Sequence, residues 1–321
     1  MSRKLNFKKY PKDLSIDLFD LKSRNQMVLH EKLFYKYSKF KKFEKNNKIL
    51  HRSPCCNSKK IKFLKKIKKN NYFLCNCNSI FINPFPSKQF LDRIYSDIGA
   101  YTKVRKFFFS NKKAINLRKK ITKKKYDQIN FFLKKKNNLK ILDFGSGNTD
   151  FVNLFKNKNN HKFMFDINDN KNEKINIWDE LRDNYFDIIT LWGVIEHLDN
   201  PIVTLKKLLK KLKVGGILAI EAPSSDSLLS MAIFYSKKSY MPFRFLEPYR
   251  HLTFFSKLFF DNFAHKNKLD ILKLHTTGLD LQTILNSKDN EFNSHILNIQ
   301  KIINESGLAD HYKVFFQKKI K

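Results

Sequence analysis

A glycine-rich turn shortly before the middle of the chain has the residue types that hold a nucleotide-like ligand. Asp143, Gly145, Ser146 and Gly147 follow a short apolar run, and the pattern predicts a strand, a tight turn and then a helix at 151–155. Glycine is favoured in such a turn because a side chain would collide with a ligand lying against the backbone, and because Gly reaches positive φ at little cost. The turn would deliver the free N–H groups of the following helix to whatever binds above the strand.

Further acids are candidates for contacts to the same ligand. The segment 161–166 predicts a second strand that ends in Asp166, about 20 residues beyond the turn, where doubly wound folds place the acid that holds a ribose diol. A carboxylate can accept both hydroxyl protons of a diol, and Ile167 would lie beside the bound group. Capping of the following turn is the alternative role of Asp166. Asp179, after a predicted third strand at 174–178, would contact an adenine amino group or else begin a surface helix.

The glycine spacing separates two classes of cofactor. A dinucleotide-binding turn has the pattern G-x-G-x-x-G, and Asp150 stands where its third glycine would be. This weakens the NAD interpretation. The turn instead resembles the D-x-G-x-G pattern of class I S-adenosylmethionine (SAM) methyltransferases, with a departure at Thr149, where many relatives carry another glycine.

A continuous apolar run at 186–192 predicts a strand that is buried on both faces. Trp192, Gly193, Glu196 and His197 stand at its carboxyl end, and open α/β sheets bind their ligands at that edge. Trp192 and Gly193 are therefore candidate contacts to the cofactor. Glu196 would either accept a hydrogen bond near the cofactor or cap the next turn.

The stretch from 186 to 224 resembles the class I methyltransferase family in more detail. The family order of FD, EHL-x-x-P, LKxGG and L-x-I-x-x-P is matched by "FDIITLWGVIEHLDNPIVTLKKLLKKLKVGGILAIEAPS". Pro201 begins a predicted helix, which is followed by a strand at 217–223. The resemblance implies an α/β fold with a Rossmann-like seven-stranded class I methyltransferase sheet and helices on both faces. Segments 269–276 and 312–320 would form the final antiparallel pair of that sheet.

The cysteines of the chain are confined to 55–77 and are candidates for a metal site. Cys55, Cys56, Cys75 and Cys77 offer four thiolates, which in a reducing compartment suit a tetrahedral Zn²⁺ ion better than disulfides. The surrounding sequence resembles a small zinc-ribbon-like module that precedes some bacterial methyltransferases. Its spacing, however, is C-C and C-x-C rather than two C-x-x-C knuckles. Structural zinc, a metal-free remnant of the ribbon and redox chemistry stay open as interpretations.

The implied methyl transfer needs an acceptor aligned with the methyl group of SAM and a route for the acceptor's proton. His197 and His251 lie at predicted sheet-edge or lid positions, and imidazole titrates near neutral pH. We expect His251 to be the base, and His197 to line the site or act directly. The aromatic lid at 225–255 would either form an acceptor pocket or pack upon itself.

The composition is strongly basic but does not indicate a nucleic-acid partner. The formal net charge is +35, yet only 9 of the 64 basic residues are arginine, the preferred residue for bidentate phosphate and base contacts. We expect no nucleic-acid partner and at most a weak peripheral attraction to anionic lipid or glycan surfaces. No apolar run approaches the roughly 18 residues of a membrane span, and a cytoplasmic protein is predicted.

The length of 321 residues predicts a catalytic domain with one accessory module. We divide the chain into a basic N-terminal helical extension (1–50), a zinc-ribbon-like module (51–100), linker helices (101–136) and a SAM-dependent methyltransferase domain (137–321) with its lid at 225–255. The predicted function is methyl transfer from SAM to a small-molecule or glycan-linked acceptor, such as a nucleotide sugar or a surface polysaccharide. A catalytically inactive scaffold or regulatory protein of the same fold and an RNA methyltransferase are the alternatives.

Overall fold

The computed structural model describes most of the chain beyond its N-terminal region. It covers residues 9–14, 29, 31–33, 36, 47–96, 99, 102–103, 112–134, 137–147, 151–166, 181–237, 243–247, 250–285 and 290–319. The strands are β1 (Ile61–Ile67), β2 (Asn70–Cys75), β3 (Ile80–Ile82), β4 (Lys140–Phe144), β5 (His161–Phe165), β6 (Phe186–Trp192), β7 (Leu212–Pro223), β8 (Thr253–Phe254), β9 (Leu269–Thr277) and β10 (His311–Lys318). The α-helices are α1 (Lys88–Tyr95), α2 (Lys112–Phe132), α3 (Pro201–Lys211), α4 (Leu228–Phe234), α5 (Phe243–Leu246), α6 (Lys257–Lys266), α7 (Asp280–Leu285) and α8 (Asn290–Glu305).

Six strands form one mixed sheet in the order β5–β4–β6–β7–β10–β9. The first four run parallel, while β10 is antiparallel to both β7 and β9. The predicted antiparallel pair is therefore confirmed, and the arrangement is the Rossmann-like sheet of class I methyltransferases. The third strand predicted at 174–178, which would be the seventh of this sheet, lies outside the described residues.

Helices cover both faces of the sheet, as the continuous apolar run of β6 requires. Ile189 faces a large core cluster that includes Leu205 of α3 and Phe260 of α6. Ile188, the preceding residue, faces the opposite cluster, which includes Ile129 of α2. Successive side chains of a strand point to opposite faces, so β6 lies buried between two helical layers.

Two elements differ from the sequence prediction. Instead of a helix at 151–155, a short 3₁₀ helix forms at Val152–Leu154, because the Asn- and Lys-rich run that follows favours a turn back to β5. The strand predicted at 217–223 begins already at Leu212, with a register irregularity opposite β6 that accommodates Gly215 at φ 76°.

A second sheet joins the cysteine-containing module to the lid. Its order is β1–β2–β3–β8, and β8 follows His251 almost directly in the chain. Phe254 of β8 pairs with Ile80 of β3, and both side chains are buried in the large core cluster. The module therefore packs against the lid and shares a core with the main sheet. In the part of the chain that the structure describes, no helix is long and apolar enough to cross a membrane.

Candidate active site

The glycine turn lies at the carboxyl end of β4, beside the end of β5. Gly145 has φ 78° and Gly147 has φ 56°, both in the region that favours glycine. The amides of the turn itself are used within the fold: Gly145 and Ser146 donate to the Phe165 carbonyl oxygen at 2.7 and 3.0 Å. The residues that follow the turn, 148–150, lie outside the described residues, so the expected free helix amides stay a prediction. The Gly147 amide donates to Oδ2 of Asp166 at 2.8 Å. Strands β4 and β5 are parallel neighbours and end at the same edge of the sheet. The Phe165 carbonyl oxygen and the Asp166 carboxylate therefore lie within reach of the amides of the turn.

Close packing fixes the turn against the neighbouring β6 edge. A Cβ atom on Gly145 would lie 2.5 Å from Cγ2 of Val194. Val194 stands between the end of β6 and the 3₁₀ helix Ile195–His197. Only a glycine at 145 permits this approach, so the turn and the β6 edge form one continuous surface.

A buried acid ties the turn to the centre of the sheet. Asp143 is 2% exposed and accepts a hydrogen bond from Thr190 Oγ1 at 2.5 Å. Thr190 was not predicted as a site residue, because a threonine within an apolar strand has no recognisable partner until β4 and β6 are paired. Asp143 therefore positions the turn. Ile167 and Asp179, the other predicted cofactor contacts from this half of the domain, lie outside the described residues.

The end of β6 contributes a core residue and a second positive-φ glycine. The Trp192 ring packs against Phe151 and Phe315, with ring centroids 5.6 and 6.3 Å apart. Gly193 has φ 70°, and its amide donates to the Glu221 carbonyl oxygen at 3.0 Å. Trp192 belongs to the core beneath the edge, and its contact with a cofactor stays a prediction.

His197 and His251 lie side by side, although they come from different parts of the chain. Their ring centroids are 5.0 Å apart. His197 Nδ1 lies 2.7 Å from the Arg250 carbonyl oxygen, and His251 Nδ1 lies 2.6 Å from the Phe245 carbonyl oxygen. A carbonyl oxygen only accepts, so each Nδ1 carries the proton and each neutral ring keeps its lone pair on Nε2. Burial lowers both pKa values, that of His251 to about 4, so both rings are neutral at pH 7.

Glu196 directly precedes His197 in the chain, and its carboxyl group is buried. Its side-chain Oε2 has no hydrogen-bond partner among the described residues, and burial raises the pKa of Glu196 to about 8. The carboxyl group is therefore protonated at pH 7. Glu196 does not cap the next helix, because the side chain of Asn200 accepts from the Val203 amide there. Its predicted hydrogen bond near the cofactor stays a prediction.

Tyr95, Glu247 and Arg250 complete the cluster and were not predicted. The Arg250 guanidinium forms an ion pair with the Glu247 carboxylate and lies 5.9 Å from the centre of the Tyr95 ring. The Tyr95 ring centroid is 6.0 Å from that of His197. Because Tyr95 ends α1, the cysteine-containing module contributes a side chain to the site. Glu247 and Arg250 are close to His251 in the sequence, but the sequence did not indicate that they contact Tyr95 and the histidine pair.

The cysteines gather into one cluster despite their irregular spacing. The Sγ atoms of Cys56, Cys75 and Cys77 all lie within 4.8 Å of one another, and those of Cys75 and Cys77 are 3.3 Å apart. Cys55 is buried, and its burial raises the pKa of its thiol. Hydrogen bonds from the neighbouring thiols lower the pKa of Cys75. Three clustered sulfur donors, with buried Cys55 next to one of them in the chain, fit a partial ligand set of tetrahedral zinc.

Comparison with known sequences matches most strands of the main sheet to a family. Residues 117–274 match the profile of a family described as a methyltransferase domain. This stretch begins within α2, ends within β9, and includes the glycine turn and both histidines of the cluster. No curated protein matches the chain significantly.

Solved methyltransferase structures overlap with the chain at low identity. A SAM-dependent methyltransferase from Archaeoglobus fulgidus is 19% identical with a TM-score of 0.42, over 63% of this chain and 94% of its own. One from Aquifex aeolicus is 13% identical with a TM-score of 0.34, over 59% and 87%. A mycolic acid cyclopropane synthase in complex with S-adenosylhomocysteine (SAH) is 15% identical with a TM-score of 0.40, over 62% and 85%. These overlaps are too low to decide function, but the profile match and the sheet topology show that the chain carries a class I SAM-dependent methyltransferase domain, with SAM as its cofactor.

Proposed function

We propose that this domain transfers the methyl group of SAM to a small-molecule or glycan-linked acceptor, in particular a nucleotide sugar or a surface polysaccharide. The observation that supports it best is the meeting of the glycine turn, Asp166 and the histidine pair at one sheet edge. Val194 links the two parts, since it touches Gly145 and directly precedes the helical turn that carries His197. The acceptor class follows from the cysteine-containing module, which resembles a module found in some sugar methyltransferases.

The glycine turn would lie beneath the cofactor, and Asp166 would hold its ribose hydroxyls. Oδ2 of Asp166 already accepts the Gly147 amide, so the carboxylate is oriented before the ribose arrives. A carboxylate has lone pairs on both oxygens and can accept from several donors at once. Asp143 acts indirectly in this proposal, because its bond to Thr190 fixes the turn.

The histidine pair would orient the acceptor. Methyl transfer depends mainly on in-line alignment of the nucleophile with the sulfonium methyl group. The Nε2 lone pairs of neutral His197 and His251 can accept a hydrogen bond from an acceptor hydroxyl. We keep His251 as the group that receives this bond. Its pKa of about 4 gives it little affinity for the proton itself.

Calorimetric titration with SAM tests the cofactor site. Wild type should bind, and Asp166→Ala should bind about 10- to 100-fold more weakly, because hydrogen bonds to a charged group contribute roughly 1.5–3 kcal/mol. Asp270→Ala is the matched control, since its side chain is 56% exposed on β9, and it should bind like wild type. Absence of binding by wild type, or unchanged affinity in Asp166→Ala, would contradict the proposal.

We also propose that Cys55, Cys56, Cys75 and Cys77 bind a structural Zn²⁺ ion. The protein purified from zinc-supplemented cells should contain about one zinc per chain, and Cys75→Ser should contain none. Chelation should lower the melting temperature of wild type but not of Cys75→Ser, because a bound structural metal stabilises only the folded state. Metal-free wild type that melts at the same temperature with and without chelator would favour the remnant-ribbon interpretation instead.

A further inference from the structure

A polar cavity lies beside the candidate cofactor edge, on the side away from the glycine turn. Its volume is about 160 Å³, and its walls include Ile121, Glu221, Asp310, His311 and Lys313. Glu221 is the register neighbour of Trp192 on β6, and its carbonyl oxygen accepts the Gly193 amide. The cavity therefore adjoins the edge at which the methyl group of SAM would be presented.

A carboxylate–imidazole pair forms one wall of this cavity. Nδ1 of His311 lies 2.6 Å from Oδ1 of Asp310, which is fully buried. The Asp310 carboxylate also accepts the Leu279 amide at 3.2 Å, and the Asp310 amide donates to the Asp280 carboxylate at 2.9 Å. The acid is thus fixed in place, and His311 keeps the tautomer whose proton is on Nδ1. This is the arrangement of a general base whose Nε2 takes up a proton while the carboxylate stabilises the resulting imidazolium.

His311 is also close to the histidine pair. Its ring centroid lies 6.3 Å from that of Phe245, whose carbonyl oxygen accepts from His251. The burial that lowers the pKa of His251 to about 4 makes that residue a weak base. His251 would then accept a hydrogen bond from a second hydroxyl group of the acceptor, and His311 would accept the proton of the hydroxyl group that is methylated.

The size and charge of the cavity indicate what it can hold. A cavity of roughly 150 Å³ accommodates a six-membered ring such as benzene. Its walls combine apolar side chains, such as Ile121 and Leu279, with polar groups, so they suit a ligand that has both apolar surface and hydrogen-bonding groups. The lining charges are largely compensated within the protein: Lys313 pairs with Asp13, and Glu221 pairs with Lys125. Lys124 makes no ion pair within the described residues and is half-buried in the same wall.

We propose that this cavity is the acceptor subsite, that it binds an uncharged hydroxylated six-membered ring, and that His311 is the base for the hydroxyl group that is methylated. The inference rests on the proposed function. In the step, the hydroxyl oxygen forms a bond to the methyl carbon of SAM. The carbon–sulfur bond breaks with its electron pair going to sulfur, which yields SAH. The hydroxyl proton moves to Nε2 of His311.

Saturation-transfer NMR of the SAH-loaded protein with methyl α-D-glucopyranoside, mannopyranoside and galactopyranoside tests the subsite. At least one pyranoside should give a signal with wild type, and Ile121→Trp, which fills the cavity, should lose it. His311→Gln should retain it, as should His265→Gln, an exposed histidine on α6. Absence of all three signals, or signals that persist in Ile121→Trp, would overturn the subsite. Tighter binding of methyl glucuronide, abolished in Lys124→Gln, would overturn the uncharged class.

Transfer from tritiated SAM to the pyranoside with the strongest signal tests the base. His311→Gln should lower kcat at least about 100-fold while KM for the pyranoside changes less than about 2-fold. His265→Gln should match wild type in both constants. An unchanged kcat in His311→Gln would overturn its role as base. A SAM titration of the same samples separates the two proposals: retained SAM binding with no pyranoside signal ends this inference only, while lost SAM binding in wild type ends the proposed function.

Discussion

The cofactor side and the acceptor side of the sheet edge are built in different ways. Among the described residues, the hydrogen-bonded acids and amides of the cofactor side come from β4, from the end of β5 and from the turn after β4, within 143–166. The acceptor side combines Tyr95, Glu196, His251 and His311, which come from four separate segments. Contacts on the first side depend on backbone conformation. Contacts on the second depend on side chains that tertiary packing brings together.

The two sides also differ in how their acids are satisfied. Asp143 and Asp166 each accept a hydrogen bond from a neighbouring strand or turn. Glu196, in contrast, has a buried oxygen without a partner in the described residues and a raised pKa. Buried polar groups without partners destabilise the fold, and such violations concentrate at functional sites. The comparison indicates that the acceptor side is the less stable half of the site.

Gly145→Ala should have the largest effect and should damage the cofactor side. A side chain there meets Val194 at 2.5 Å, so the turn must move, and SAM affinity should fall more than about 100-fold in a calorimetric titration. Gly215→Ala is the control: its φ is 76° but nothing lies within 4 Å of an added Cβ. Gly215→Ala should lower the free energy of unfolding in urea by about 1–2 kcal/mol, because alanine is disfavoured at positive φ, and it should leave SAM binding intact. Equal effects of both changes on SAM affinity would mean that the contact with Val194 is unimportant.

Glu196→Gln tests the acceptor side, because it should change how the free energy of unfolding depends on pH. The folded protein keeps the proton of Glu196 up to about pH 8, whereas the ordinary pKa of the group is 4.5. Between these values the folded state binds one proton more than the unfolded state, so the free energy of unfolding falls by up to about 1.4 kcal/mol per pH unit as pH rises. Glu196→Gln should remove this slope and be more stable than wild type above pH 8.

Urea unfolding at a series of pH values measures this slope. Between pH 7 and 8 the difference between wild type and Glu196→Gln isolates Glu196. His251 loses stability only as pH falls from its ordinary pKa of 6.5 towards 4, and the lowered pKa of Cys75 adds the same opposite slope to both proteins. Glu305→Gln, an exposed control on α8, should leave the slope unchanged. A wild-type slope that survives in Glu196→Gln would assign it to another group.

Thr190→Val should have the smallest effect and tests how the cofactor side is held. It removes the hydroxyl that donates to buried Asp143 and should lower the free energy of unfolding by about 1–3 kcal/mol. SAM affinity should fall less than about 10-fold, because the other bonds of the turn remain. Thr190→Ser keeps the donor and should lie closer to wild type. A Thr190→Val protein as stable as wild type would show that Asp143 does not depend on this bond.

The sequence predicted one half of the site better than the other. The D-x-G-x-G turn and Asp166 are close in the chain, and the structure brings them together through β4 and β5. His197 and His251 were also predicted, and they meet in the structure. Tyr95 and the Asp310–His311 pair were not predicted, because nothing local distinguishes them from surface residues.

Local patterns also misjudged backbone details at the same edge. The amides of Gly145, Ser146 and Gly147 donate to groups at the end of β5, which the turn sequence did not predict. The helix expected after the turn is a single 3₁₀ turn at Val152–Leu154. The neighbouring strand β5 determines where the amides donate, and the polar run after Leu154 ends the 3₁₀ helix. The sequence of the turn contains no information about β5 or that run.

By itself, the sequence determined the strands of the main sheet, the glycine turn, the acid at the end of β5 and hence the class of fold and cofactor. These features depend on residue type at short spacing, where steric limits and apolar periodicity act directly. Only the tertiary structure decided which side chains share the acceptor side and which protonation states they have. Proximity there depends on strand order and on the packing of β8 against β3, and burial at that junction sets the pKa values of Glu196 and His251.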